Sequence, residues 1–137
     1  MIYLSHSYIG NAHERMNDHM KLQYYEKYKK GFLELFFLKI LSEGDFYGYE
    51  LSEIINKTSN NLISVSAGNM YPVLYKLEEK GYISSYEKIV GRRMRRIYYM
   101  LTDEGRVEFS KMMEDYEKFE NAANAIMAYK KEESENL

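Results

Sequence analysis

At Gly81 the hydrophobic pattern of this chain changes period, and that change limits the folds it can adopt. Before it, apolar residues recur three and four apart, the spacing of one helix face. After it, "YISSYEKIV" and "RRIYYML" are rich in β-branched and aromatic residues, with the turn residue Gly91 between them. That is a hairpin signal. The expected order is several short helices and then one hairpin, a mainly α chain with a small β-hairpin. At 137 residues it is one domain of ordinary size, and its 45% hydrophobic content can fill a core.

In "KGFLELFFLKILSE" (30–43), Phe32, Leu35, Phe36, Leu38, Lys39 and Leu41 point in nearly all directions, which predicts a well-buried helix stopped at Gly44. A second helix follows in "YGYELSEIINKTS", with Leu51, Ile54 and Ile55 at helical spacing and the polar run "TSNN" (58–61) ending it. The third lies in "SAGNMYPVLYKLEEKGYI": Met70, Val73, Leu74 and Leu77 form its inner face and Gly81 its C-terminal stop. Its start is ambiguous. If Asn69 is the N-cap, Pro72 falls in the first turn and no hydrogen bond is lost. If Ser66 is the cap, Pro72 is interior and the helix must distort locally at Gly68. Propensity favours the later start; the sequence leaves both open.

Alternation along the second strand turns Ile97, Tyr99 and Leu101 to one face and Arg96, Tyr98 and Met100 to the other. Tyr98 and Tyr99 read as sheet packing, and residues 90–94 as the hairpin tip. "LTDEG" then restarts helix, with Thr102 as N-cap and Asp103 and Glu104 at the positive end of the helix dipole. Beyond it Phe109, Met112, Tyr116, Phe119, Ala123 and Ile126 are spaced 3, 4, 3, 4, 3. This heptad-like seam outruns what one small core needs and reads as a homodimer interface, with packing on the N-terminal segment as the intramolecular alternative. Met16, Met20, Tyr24 and Tyr28 share one stripe near the N-terminus, and "KKEESENL" is a frayed tail. The organisation is thus 1–29 as a helical extension, 30–101 as a winged helix-turn-helix, and 102–137 as a long C-terminal dimerisation helix with its tail.

Charge is segregated within a net of −2. Four of the six arginines, Arg92, Arg93, Arg95 and Arg96, fall within five positions. Across residues 81–101 these and Lys88 face Glu87 alone, a local +4; from 102 to 137 ten acidic residues oppose five basic ones, a local −5. A polyanion at contact feels the local sign, because the Debye length is roughly 8 Å at physiological salt. The acidic total therefore does not argue against DNA.

Several classes drop out. There are no cysteines, hence no disulfide, zinc–thiolate site or cysteine nucleophile. The apolar run "GFLELFFLKIL" is too short for a membrane span and carries Glu34 and Lys39, and "MIYLSHSYIGNAHER" has no signal-peptide pattern. A soluble cytoplasmic chain is expected, without cofactor or membrane. His6, His13 and His19, with Glu14 and Asp18, have no specific metal-ligand spacing. No phosphate loop and no partnered general base is present, so an enzyme is not expected.

Three short helices followed by a hairpin is the order of a winged helix-turn-helix, whose third helix enters the major groove while the hairpin reaches the backbone or minor groove. Arginine suits that hairpin because its fork pairs phosphate oxygens bidentately. "LELFFLKILSEGDFYGYEL", "VSAGNMYPVLYKLEEKGYI" and "RRIYYMLTDEG" also resemble, in order and spacing, the three signature blocks of PadR-type transcriptional regulators, from about Gly31 to Arg106. The resemblance implies a winged-helix repressor, dimeric through its C-terminal helix, acting on inverted-repeat operators in double-stranded DNA. Ser66, Asn69, Tyr71, Tyr75 and Lys76 then correspond to the DNA-facing side of the recognition helix, and Arg92, Arg93 and Arg95 to the wing. Arg96 heads the returning strand and belongs to the sheet. Two departures stand out: Ala67 replaces a proline common in relatives, and the chain lacks the tryptophans with which some relatives stack a flat drug. A small-molecule effector between the N-terminal segment and the C-terminal helix is compatible with this reading. The competing function is a winged-helix protein-interaction module.

Overall fold

The structure, a computed structural model, describes residues 22, 24–28 and 31–132. Its elements run α1 (Tyr25–Tyr28), α2 (Phe32–Leu41), β1 (Phe46–Tyr47), α3 (Gly48–Thr58), α4 (Ala67–Glu79), β2 (Ile83–Val90), β3 (Met94–Leu101) and α5 (Asp103–Met127). Helices dominate, and the strands form one antiparallel sheet in the order β1-β3-β2. The fold is the expected mainly α winged helix. The expectations for residues 1–21, including the histidines, and for the tail beyond residue 132 lie outside the described residues.

The core gathers one face from each helix. Phe37, Leu38 and Leu41 of α2, Leu51 and Ile55 of α3, and Met70, Leu74 and Leu77 of α4 close on Ile83 and Leu101 of the sheet. Helix α2 is less enveloped than its composition suggests: Phe32 and Phe36 are half-buried and Lys39 is exposed. It ends at Leu41, short of Gly44. Helix α3 stops where expected, because Asn60 and Asn61 take left-handed φ values of 56° and 66°, which asparagine tolerates better than most residues.

Helix α4 adopts the earlier of its two possible starts. The Asn69 amide donates to the Ser66 hydroxyl at 3.3 Å, and Pro72 lies inside the helix. The cap satisfies a donor at the helix start. The carbonyl that Pro72 leaves unpaired belongs to Gly68, which has no side chain to add to the crowding. At its other end Gly81 takes φ 81°. Its amide donates to the Glu78 carbonyl and that of Tyr82 to the Leu77 carbonyl, both at 3.0 Å. This is a Schellman stop, and the left-handed residue it needs explains the glycine.

The sheet has a strand that the alternation pattern does not reveal. Phe46 pairs with Tyr99 and Tyr47 with Tyr98, so β3 is central. Two residues are too few to display a period. Helix α5 begins on Thr102, whose hydroxyl accepts the Gly105 amide at 3.0 Å and donates to the Gly81 carbonyl at 2.6 Å. The start of α5 is thereby fastened to the end of α4.

Candidate nucleic-acid interface

With Met70, Leu74 and Leu77 turned inward, the outer surface of α4 divides into two flanks. Asn69 and Tyr71, two residues apart, stand about 160° from one another around the axis. Tyr71 and Tyr75 project on the side of the sheet, 48% and 68% exposed. The Tyr71 ring lies over Gly48, where a Cβ would come within 2.8 Å of its hydroxyl oxygen. Asn69 and Lys76 project on the other flank, beside a concavity of 480 Å³ that Glu34 and Lys80 also line. Lys80 and Glu34 are ion-paired there at 3.3 Å. Ser66 sits at the helix start and Pro72 between the flanks, both exposed. The five residues assigned to one DNA-facing side therefore frame a ridge from both edges.

The wing is the β2–β3 hairpin. Val90 pairs with Met94 across a turn of Gly91, Arg92 and Arg93, and Gly91 and Arg93 take positive φ of 59° and 61°. Arg92 and Arg93 are exposed on this turn. Arg95 is exposed too, but it carries its own counter-charge: its guanidinium lies 3.0 Å from a Glu87 carboxylate oxygen. Arg96 instead lies over the Tyr47 ring, its guanidinium carbon 4.2 Å from the ring centroid, and the Lys88 ammonium stands 5.2 Å from the centroid of Tyr98. Tyr98 is packed edge-on against Tyr47 at 5.6 Å and parallel to Tyr86 at 5.7 Å. Tyr86 donates its hydroxyl proton to Asp45 at 2.9 Å, and this bond is the main reason its pKa is raised. The sequence reading counts Lys88 in the basic segment without giving it a place in the site, and the three-tyrosine platform is not in it at all. Strand parity alone could have placed Lys88 beside Arg96, but the platform required β1.

On the inner side of the sheet Tyr99 is half-buried, and that burial, followed by the nearby Tyr71 and Glu78, raises its pKa. Tyr98 and Tyr99 are sheet-packing residues, as expected.

The seam of α5 also divides. Phe109 and Met112 pack against the core of their own chain, and Tyr116 meets Phe32 edge-on at 6.2 Å. Burial, and then a hydrogen bond with Glu120, raises the Tyr116 pKa. Phe119 and Ile126 are 62% and 72% exposed, and Ala123 is half-buried. Two apolar concavities of 310 Å³ each lie along α2 and α5; the second is lined by Leu22, Tyr28, Phe36, Ile63 and Ala123, among others. Among the described residues no cluster suited to a metal ion occurs, and no helix is long and apolar enough to cross a membrane.

Residues 37–111 match the model of the transcriptional regulator PadR-like family. A PadR-like transcriptional regulator from Bacillus cereus is similar in structure, with a TM-score of 0.68 and 29% identity over 76% of this chain and 99% of that one. A transcriptional regulator from Clostridium thermocellum superposes with a TM-score of 0.67 at 31% identity, covering 72% of this chain and 96% of that one. Bacillus subtilis PadR, solved in complex with operator DNA, gives a TM-score of 0.56 at 26% identity, over 61% of this chain and 46% of that one. In sequence, the negative transcriptional regulator PadR of Bacillus subtilis is 30% identical over 71 residues, which are 52% of this chain but only 39% of that regulator.

Proposed function

The chain belongs to the PadR-like family of transcriptional regulators, and we propose that it is a cytoplasmic repressor that binds an inverted-repeat operator as a homodimer. The observation that carries this reading is the exposed pair Arg92 and Arg93 on the turn of a hairpin that follows a capped, outward-facing helix. Helix α4 enters the major groove, with Ser66, Asn69, Tyr71, Tyr75 and Lys76 toward DNA, and the wing holds the backbone. Arg95 joins the wing contact by exchanging Glu87 for a phosphate, a modest change because an exposed ion pair is worth only about 0–1 kcal/mol. The solved complex of Bacillus subtilis PadR with operator DNA supports DNA as the partner.

The dimer forms through the exposed length of α5. Phe119 and Ile126, apolar and uncovered in the single chain, are the contacts, with Ala123 between them. Two-fold symmetry then sets half-sites about one DNA turn apart. The apolar concavities between α2 and α5 give a small lipophilic effector a place to act on that dimer.

Selection of bound sequences from random duplex DNA tests the reading as a whole. A two-fold symmetric motif is expected. Recovery of unrelated sequences, together with a monomer in sedimentation, would replace it with the protein-interaction module.

A further inference from the structure

On the solvent face of the wing we propose a second phosphate-binding rung, formed by Lys88 and Arg96 and positioned by the rings of Tyr98 and Tyr47. The proposal rests on the DNA-binding reading above and extends the grip beyond the turn. Lys88 and Arg96 are direct cross-strand partners, one same-face rung back from the Val90–Met94 pair that closes the hairpin. Like charges placed opposite one another destabilise a sheet. Among the described residues no carboxylate pairs with either cation; Asp45, at the edge of this face, accepts the Tyr86 hydroxyl instead. A phosphodiester backbone supplies the missing counter-charge.

The way the cations are held separates this rung from Arg95. A guanidinium held over a tyrosine ring by its π electrons needs no carboxylate and keeps N–H donors for a phosphate, whereas Arg95 is engaged with Glu87. Tyr47, Tyr98 and Tyr86 brace one another across all three strands, so the platform is ordered before DNA arrives. Less side-chain entropy is then lost on contact. The rung and the turn bearing Arg92 and Arg93 together form one basic strip along the hairpin, matched to the backbone flanking the operator.

Titration of the full chain with its selected operator at several salt concentrations tests the proposal. Lys88→Gln and Arg96→Gln should each lower the slope of log affinity against log salt by about one per bound wing, with a loss of about fivefold per wing near 0.15 M salt. Removing a neutral ion pair that has no part in the DNA contact, with Lys39→Gln and Glu43→Gln together, should leave the slope unchanged. Tyr47→Leu and Tyr98→Leu should weaken binding about two- to fivefold with the slope kept, while the phenylalanine variants, which retain the ring face, bind like wild type. Wild-type slopes in both glutamine variants would overturn the rung. Phenylalanine variants as weak as the leucine ones would overturn the positioning role of the rings. If the unaltered protein shows no salt dependence at all, the DNA reading itself falls and the rung with it.

Discussion

Gly105 in the first turn of α5 lies directly against the carbonyl of Tyr82, so closely that a Cβ there would overlap the oxygen and stand 2.7 Å from a Leu101 methyl. That same carbonyl accepts the Thr102 amide at 3.1 Å. The contact lets the start of α5 nest into the turn that ends α4. Gly105→Ala should therefore destabilise the fold by about 1–3 kcal/mol, because backbone rather than a flexible side chain would have to move. Urea unfolding measures it. A midpoint unchanged from wild type would mean that the junction is looser than this geometry requires.

The divided seam of α5 makes two opposite predictions for two phenylalanines. Phe109 packs on the core, so Phe109→Ala should cost about 3 kcal/mol of monomer stability, less for its partial exposure. Phe119 is largely exposed, so Phe119→Glu should leave helical content and monomer stability nearly unchanged while abolishing the proposed dimer. Sedimentation velocity and circular dichroism on both variants separate the cases. A Phe119→Glu protein that stays dimeric would remove this stretch from the interface.

Much of this architecture is legible in the sequence where one residue type answers one backbone need. Gly81 reads as a stop because a Schellman end requires a left-handed residue, and Thr102 as a start because its hydroxyl caps an amide. Met70, Leu74 and Leu77 are legible from their spacing. What stays hidden depends on partners distant in the chain. Strand β1 is two residues long, and its existence is set by β3. The start of α4 pits a serine cap against an interior proline, and local propensity cannot weigh a cap against the packing that holds the helix in place. Arg95 and Arg96 are neighbours with the same chemistry, yet one meets Glu87 and the other Tyr47 because they face opposite sides of the sheet. In α5 the period of the seam is plain, but a period does not say whether its own core or another chain covers it.

Tyr99 predicts how the fold responds to alkali. Its burial, and then Tyr71 and Glu78, raise its pKa above the ordinary 10.0, so the neutral phenol is the form the fold prefers. The associated stability is fully present below pH 10 and is lost as pH rises through the folded-state pKa, since the unfolded chain ionises first. Wild type should lose stability more steeply above pH 10 than Tyr99→Phe, with the two curves parallel below it. Urea midpoints from pH 8 to 11 provide the comparison, and curves parallel throughout would contradict the assignment.

Pro72 breaks a local rule on the surface assigned to DNA, and its replacement should separate stability from function. It lies inside α4, where it donates no backbone hydrogen bond, and its ring is exposed on the ridge between the flanks of Tyr71 and Asn69. Pro72→Ala would restore a donor to the Gly68 carbonyl and relieve the crowding there. The gain, about 1 kcal/mol after allowing for the greater freedom of the unfolded chain, should appear as a higher melting temperature. By removing the ring that crowds the Gly68 carbonyl, the same change should shift Ser66 and Asn69 relative to Tyr75 and Lys76. Operator affinity should therefore fall while binding to random duplex stays close to wild type, since the wing cations are untouched. Asn69→Ala should act differently, relaxing preference at one base position by about 1–3 kcal/mol with no gain in stability. Binding-site selection beside thermal melts for both variants tests the pair of expectations. A Pro72→Ala protein more stable than wild type and equally selective would show that the proline-imposed shape of α4 plays no part in reading the operator.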